Sequence, residues 1–447
     1  MKNSTFWTSV VGAIALVAIL AAAPASAGAP PALALDQAID IALKANLGVK
    51  QAVEEVRAAE ATRNQSITQF LPTLSTSYSY LYRDREQVQS IGSPVGAGDF
   101  VINPRDEYNF VTSFNQPIFT GFALINQYRI TDLGLDRAEI SAKLKRQDVI
   151  LDTKNAYYQI LKTQKLVEVA EQTVVQINAQ KEVSENFYKV GMSPLNDLLQ
   201  SQVRLANAKQ ALITALNNLE IAKSQFNTVL RRSVTSPVAV VDILDFIPFD
   251  KDIQFCLDAA RTNRLELQVA DLNIDLAQRQ VDLSEKDFFP TINLQGNYTR
   301  RGEEWDVSGG DGISDAAFWN VQATATWEFW QWGRSLYGRK EKLSRLSQAK
   351  ISRADTQDKI ELEVKQAFLR IQESEKNILT VEKAIEQAKE NLRITEEQYK
   401  EQVATQTDVL VAQTLLTETM TNYYNALYDF KIAKAVLNRA IGQEELE

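Results

Sequence analysis

The sequence predicts a mixed α and β membrane protein, internally duplicated, in which a long coiled-coil α-helical barrel continues into a transmembrane β-barrel of four strands per protomer. Three observations carry this. Residues 188–202, Tyr-Lys-Val-Gly-Met-Ser-Pro-Leu-Asn-Asp-Leu-Leu-Gln-Ser-Gln, return 211 positions later at 399–413, and the same gapless offset pairs Ala156 with Ala367, Leu205 with Leu416, Ala222 with Ala433 and Asn227 with Asn438. After Pro72 and again after Pro290 the apolar period changes from 3.6 to 2. Two stretches, 122–190 and 334–402, are free of proline over about 69 residues each, which at ~1.5 Å per residue extends roughly 100 Å.

Residues 1–27 hold one charge, Lys2, then an apolar run over 10–23 and the small-residue end Ala25-Ser26-Ala27, the pattern of a secretory signal peptide cleaved after Ala27. Without Lys2, 47 basic residues stand against 57 acidic ones, a balance of −10, which argues against a nucleic-acid partner. No later window is long and apolar enough for a helical span, so any membrane contact must come from strands. With no histidine, a single cysteine (Cys256) and no Gly-rich phosphate loop, the chain offers no catalytic, metal or cofactor constellation, and none is expected.

The first repeat is expected over 28–231. Leu35, Ala38, Ile39, Ala42 and Leu43 form a helical stripe that Val49, Ala52, Val53 and Val56 continue, predicting a helix over 35–70. Phe70-Leu71-Pro72-Thr73 stops it and opens a strand over 72–82, where Leu74, Thr76, Tyr78, Tyr80 and Tyr82 alternate with Thr73, Ser75, Ser77 and Ser79. A second strand spans 108–119. Gly121 marks the return to a long helix over 122–190, and after the bend a return helix runs 196–231. An equatorial linker over 232–251, apolar with two prolines, must cross between levels. The second repeat, 252–441, runs in the same order: helix 252–289, strands 291–300 and 317–329, long helix 334–402 and return helix 408–441, before a tail over 442–447.

Alternation alone fits a soluble antiparallel sheet with one wet face as well as membrane strands. The leader, strands of about 10 to 12 residues and Trp/Tyr at their ends favour outer-membrane lipid. Four strands cannot close a pore, and an open edge cannot face lipid, so closure needs several copies; three copies give twelve strands.

Each bend interrupts one helix and restarts another at an acidic residue, Asp197 or Asp408. Thr405-Gln406-Thr407-Asp408 has capping-box spacing, and Ser193-Pro194 looks like a cap with proline near the first helical position. Both carboxylates therefore have a plain structural role open to them, compatible with lending field to a narrow pore mouth. For Tyr188 and Tyr399, packing and a hydrogen bond to a neighbouring hairpin remain equally open.

The duplicated helix, strand, strand, long helix, bend, helix order, the Phe-Leu-Pro-Thr and Phe-Phe-Pro-Thr strand entries and the bend motif Tyr188-Lys189-Val190-Gly191 with Asp197-Leu198-Leu199 together resemble the outer membrane efflux protein family, over essentially all of the mature chain. The resemblance implies a homotrimer in the outer membrane, with a helical tunnel through the periplasm. It also implies a periplasmic adaptor protein and an inner-membrane transporter as partners, and a tripartite efflux or type I secretion function. In that family the bends form the closed end and receive the adaptor. Val190, Gly191, Met192 and Ser193, with Ala404 and Thr405, then correspond to the docking tip, and Asp408, Asp197, Tyr399 and Tyr188 to the gate. The family's second tip reads Tyr-x-x-Gly-x-Arg-x-x-x-Asp-x-x-Asp; here Tyr399 and Asp408 match, whereas Gln402, Ala404 and Val411 replace the glycine, the arginine and the second aspartate. A diffusion porin and a soluble coiled-coil scaffold are the rival functions.

Overall fold

The computed structural model describes residues 32–93, 96–243, 245–313 and 316–443; the leader and its expected cleavage point lie outside them, as does most of the tail. Helices α1 (Leu35–Ala45) and α2 (Leu47–Thr68) lead to strand β1 (Thr73–Tyr82), a hairpin of β2 (Gln87–Ser93) and β3 (Gly96–Asn103), and strand β4 (Asp106–Thr120). Then come the long helix α3 (Ala123–Lys189) and the return helix α4 (Leu195–Val229). The second half repeats this with α5 (Ile253–Asn263), α6 (Leu265–Ser284), a 3-10 turn (Glu285–Phe288), β5 (Thr291–Gly302), β6 (Ala317–Thr326), α7 (Arg334–Lys400) and α8 (Gln406–Ala440). Among the described residues no helix is long and apolar enough to cross a membrane.

Each first-segment helix, expected whole, is broken once. At Asn46 the backbone turns extended (φ −60°, ψ 128°) and the side chain accepts from the amides of Gly48 and Val49, capping α2. At Arg264 (φ −67°, ψ 115°) the break in the second repeat lets a buried guanidinium reach the end of α8. The strand expected to 329 ends at Thr326, and the stretch between the expected strands 72–82 and 108–119 contains the β2–β3 hairpin.

Strands β1, β4, β5 and β6 form one antiparallel sheet in that order, so β1 and β6 each keep an unpaired edge. Thr73 lies opposite Asn115, Asn115 opposite Gln295, and Thr291 opposite Thr326. Large apolar side chains, among them Leu74, Trp319 and Val321, stand exposed on this sheet. On the strand-proximal half of the helical region α3 packs on α2 and α6, and α6 on α7; on the far half α3 packs on α4 and α8, and α8 on α7. Each long helix is thus flanked by short helices at two levels, because only neighbours can bury the apolar faces of a 67-residue rod.

The segment between α4 and α5 crosses at mid-height. Leu33 forms a parallel bridge with Val240, and the buried Tyr157 hydroxyl lies within hydrogen-bond reach of the carbonyl oxygens of Leu33 (3.0 Å) and Val241 (2.7 Å). Tyr428 donates to Asp242, and Lys431 pairs with Asp245. Beneath this belt Tyr157, Ile160, Leu161, Phe226 and Leu230 make the largest continuous core.

Candidate gate at the helical tips

The two bends share one backbone solution. In the first, Gly191 takes φ +76°; its amide donates to Tyr188 O and that of Met192 to Phe187 O, at 3.0 and 2.8 Å. In the second, Gln402 takes φ +59°, with the equivalent bonds from Gln402 to Tyr399 O (3.1 Å) and from Val403 to Gln398 O (2.8 Å). Both are Schellman ends, which satisfy the last carbonyls of a helix through one left-handed residue. Replacing the expected glycine with Gln402 leaves the turn intact at the cost of left-handed strain, about 1–2 kcal/mol.

Past the turns the copies diverge. Thr405 caps α8: its amide and hydroxyl donate to Asp408 Oδ2 at 2.8 and 2.7 Å, and its hydroxyl accepts from the Asp408 amide at 3.3 Å. These bonds from the Thr405 side chain and backbone hold the exposed Asp408 carboxyl below its ordinary value. Helix α4 has no such cap. Its N-cap is Pro194, which has no side-chain acceptor, and half-buried Ser193 leaves its hydroxyl without a partner, contrary to the cap expected there. Asp197 sits half-buried in the first turn of α4, beside the positive helix end.

The tyrosines divide as well. Tyr399 is buried and stacks on Phe187, ring centroids 5.5 Å apart, while Tyr188 is exposed. The difference follows from neighbours: α8 lies between α3 and α7, so the second bend closes into a core of Leu392, Tyr399, Val409, Ala412 and Leu416, with Val183 and Phe187 of α3 against it. Val190, Met192 and Val403 project exposed from the tips, beside Gly191 and with Ala404 half-buried behind.

Sequence reasoning missed four further residues. Gln406, the first residue of α8, is 1% exposed. Its Nε2 donates to Ser201 Oγ of α4 (2.8 Å), and its Oε1 accepts from Gln180 Nε2 (2.8 Å) and Ser184 Oγ (3.0 Å), both of α3. The signal was present: Gln406, Gln413 and Met420 recur every seven residues, a seam position, alternating with Val409 and Leu416. Beside this cluster α4 and α8 form a groove of about 500 Å³, lined by Leu199, Val203, Arg204, Leu410 and Val411 among others.

The family model described as "Outer membrane efflux protein" matches residues 38–230 and 256–443. The chain is similar to outer membrane protein TolC of Vibrio cholerae, 21% identical over 326 residues that cover 69% of this chain and 73% of that one. It is 22% identical to TolC of Escherichia coli, with 68% of this chain and 63% of that one covered. Nodulation protein T of Rhizobium leguminosarum is 20% identical over 422 residues, 90% of this chain and 84% of that one. Among solved structures, the outer membrane protein VceC of Vibrio cholerae superposes with a TM-score of 0.76 at 16% identity, over 92% of this chain and 97% of that one. The CmeC outer membrane channel of Campylobacter jejuni gives 0.77 at 16%, over 92% and 87%.

Proposed function

Because the chain belongs to the outer membrane efflux protein family, we propose that it is the outer-membrane exit duct of a tripartite efflux or type I secretion system, a homotrimer that passively conducts substrates delivered by a periplasmic adaptor and an inner-membrane transporter. The observation that carries this reading is the four-stranded sheet with two free edges, set on helices that run on for roughly 100 Å. A sheet in lipid must close, and three copies close at twelve strands. A diffusion porin has no use for such helices. A soluble scaffold has no use for Leu74, Trp319 and Val321 exposed on a sheet of spanning length.

The duplication also supplies the register of the seam. Strand β1 maps onto β5 by an offset of 218 (Thr73 to Thr291), and β4 maps onto β6 by 211 (Asn115 to Thr326), since these residues are partners in β1–β4 and in β5–β6. If the joint between copies repeats the β4–β5 joint, the pairs Ser113–Asn297 and Thr112–Tyr298 become Thr324 opposite Ser79, and Ala323 opposite Tyr80, of the adjacent copy. Adjacent antiparallel pairs alternate between wide and narrow, so one of the two suits a disulfide.

The test is the native mass of the detergent-extracted protein together with the cysteine pairs Thr324→Cys/Ser79→Cys and Ala323→Cys/Tyr80→Cys. Three times the monomer mass, with oxidation giving covalent trimers from one pair, is expected. A monomer recovered from the soluble periplasm refutes closure. A trimer that links only when the cysteines are shifted along the strand refutes the register alone.

A further inference from the structure

Both long helices are entered through two consecutive left-handed residues, one a glycine and one an aromatic, in opposite orders. Gly121 and Phe122 (φ +61° and +66°) precede α3, whereas Trp332 and Gly333 (φ +53° and +85°) precede α7. A bulky side chain in this region is strained, so its position has a physical cause. In each turn glycine takes the crowded place. A Cβ at Gly121 would stand 2.5 Å from Lys286 O and 3.2 Å from Phe289 Cβ, both of the second repeat; at Gly333 it would meet the Tyr337 ring of its own helix at 3.2 Å. Trp332 stands at the place of Gly121 in the repeat and is 87% exposed.

The counterpart that Gly121 meets also has an equivalent. The offsets of 211 and 218 that relate the strands of the two repeats carry Gly121 to Trp332, Phe119 to Trp330, Lys286 to Thr68 and Phe289 to Leu71. Local structure agrees with this mapping. The Leu71 amide donates to Thr68 O at 3.0 Å as that of Phe289 does to Lys286 O at 3.1 Å. Trp330 and Trp332 meet edge-on at 5.6 Å as Phe119 and Phe122 do at 5.3 Å. Inside the chain the two halves of the joint are closed, with Phe122 edge-on to Phe289 at 5.4 Å. The equivalent halves lie apart, one just after β6 and the other just before β1, the two outer strands of the sheet, and Leu71 is 58% exposed.

We propose that these halves meet across copies: Trp332 seats against the adjacent copy's Leu71, an aromatic wedge where the inner joint uses a glycine. The proposal rests on the reading of the chain as a trimeric duct and names what joins the copies where the sheet passes into the helices. Repeating the inner joint unchanged would drive the Trp332 Cβ into the adjacent copy's Thr68 carbonyl, so the joint between copies opens by about 1 Å to reach ordinary contact. Close joints within chains then alternate around the rim with wider ones between them. An indole suits the wider gap, because it covers a large apolar area with only two side-chain torsions to fix.

The test uses the protein extracted from membranes in detergent. In the inner joint the corresponding Cβ positions are 3.2 Å apart, so across the wider joint Trp332→Cys and the adjacent copy's Leu71→Cys come within about 4 Å, the span of a disulfide. Oxidation is expected to give covalent trimers from Trp332→Cys/Leu71→Cys and none from Trp305→Cys/Leu71→Cys, whose first position lies in the β5–β6 loop. Trp332→Ala and Leu71→Ala should each lower the temperature at which the trimer separates, and together lower it by clearly less than the sum, because both remove one contact. Trp332→Phe and Leu71→Val, milder cuts at the same contact, serve where the alanine variants fail to assemble. Trimers that link through Thr324→Cys/Ser79→Cys or Ala323→Cys/Tyr80→Cys but not through Trp332→Cys/Leu71→Cys overturn the joint and leave the indole to the lipid boundary. Additive effects of the paired substitutions overturn it as well. A protein that forms no trimer overturns the duct reading itself.

Discussion

Gly121 and Gly191 occupy the same left-handed region, φ +61° and +76°, but their surroundings differ, and the difference can be measured. A Cβ at Gly121 would stand 2.5 Å from the carbonyl oxygen of Lys286 and 3.2 Å from Phe289 Cβ; at Gly191 it would meet nothing within 4 Å. Gly121 precedes Phe122, whose ring packs edge-on against Phe119 and Phe289 at 5.3 and 5.4 Å, so the turn from β4 into α3 is pressed against the 3-10 turn of the second repeat. Gly191→Ala should therefore cost only the left-handed term, about 1–2 kcal/mol. Gly121→Ala should add the displacement of a backbone carbonyl, about 1–3 kcal/mol more, for a total of about 2–5 kcal/mol. Gln402→Gly, at the position where the protein already carries the strain, should return roughly 1 kcal/mol. The assay is urea unfolding of the purified protein in detergent, followed by tryptophan fluorescence. Equal destabilisation by Gly121→Ala and Gly191→Ala would refute the close approach at Lys286. A destabilising Gln402→Gly would refute the strain.

Arg264, 5% exposed, donates to the carbonyls of Arg439 and Ala440 at the end of α8 and pairs with Glu363 and Glu266 at 2.8 and 2.9 Å. Arg264→Met should cost about 3–5 kcal/mol by stranding these acceptors, read as a lowered urea midpoint; a change below about 1 kcal/mol would show that water replaces the guanidinium freely. At the tip, Asp408 should give the pore mouth a cation preference, read as a reversal potential under a salt gradient. The Thr405 bonds depress its pKa, so its charge persists as pH falls through the ordinary carboxylate range, and the small stabilisation linked to it, full above that range, is lost as pH falls through the depressed value. Asp408→Asn should remove the preference at neutral pH, and an unchanged reversal potential would discard the residue as a selectivity element.

The repeat made the architecture readable, because a gapless offset fixes which segments correspond before any contact is known. An asparagine marks each helix break in the sequence, Asn46 and Asn263, although the apolar stripe continues past both; at Asn46 the cause is local, a cap on Gly48 and Val49, whereas at Arg264 it lies in partners far along the chain. Arg264 turns toward carbonyls 175 and 176 residues away. The β2–β3 hairpin hid between the two expected strands of the first repeat, since its pairing is decided by its two strands meeting and not by burial of either face.

The site shows the same division between local and distant causes. The Thr405–Asp408 cap was legible because a capping box involves neighbours three residues apart. Tyr188 and Tyr399 match perfectly in the repeat and still part company, one exposed and one stacked on Phe187, because α8 packs on α3 on one side and α7 on the other, whereas α4 packs closely on α3 and meets α8 only in a few polar contacts near the tip. Duplication equates the copies in sequence, but a chain has ends, and the outer helices of one copy can complete their packing only against another. The polar cluster at Gln406 belongs to the inner seam, where no adjacent copy is needed.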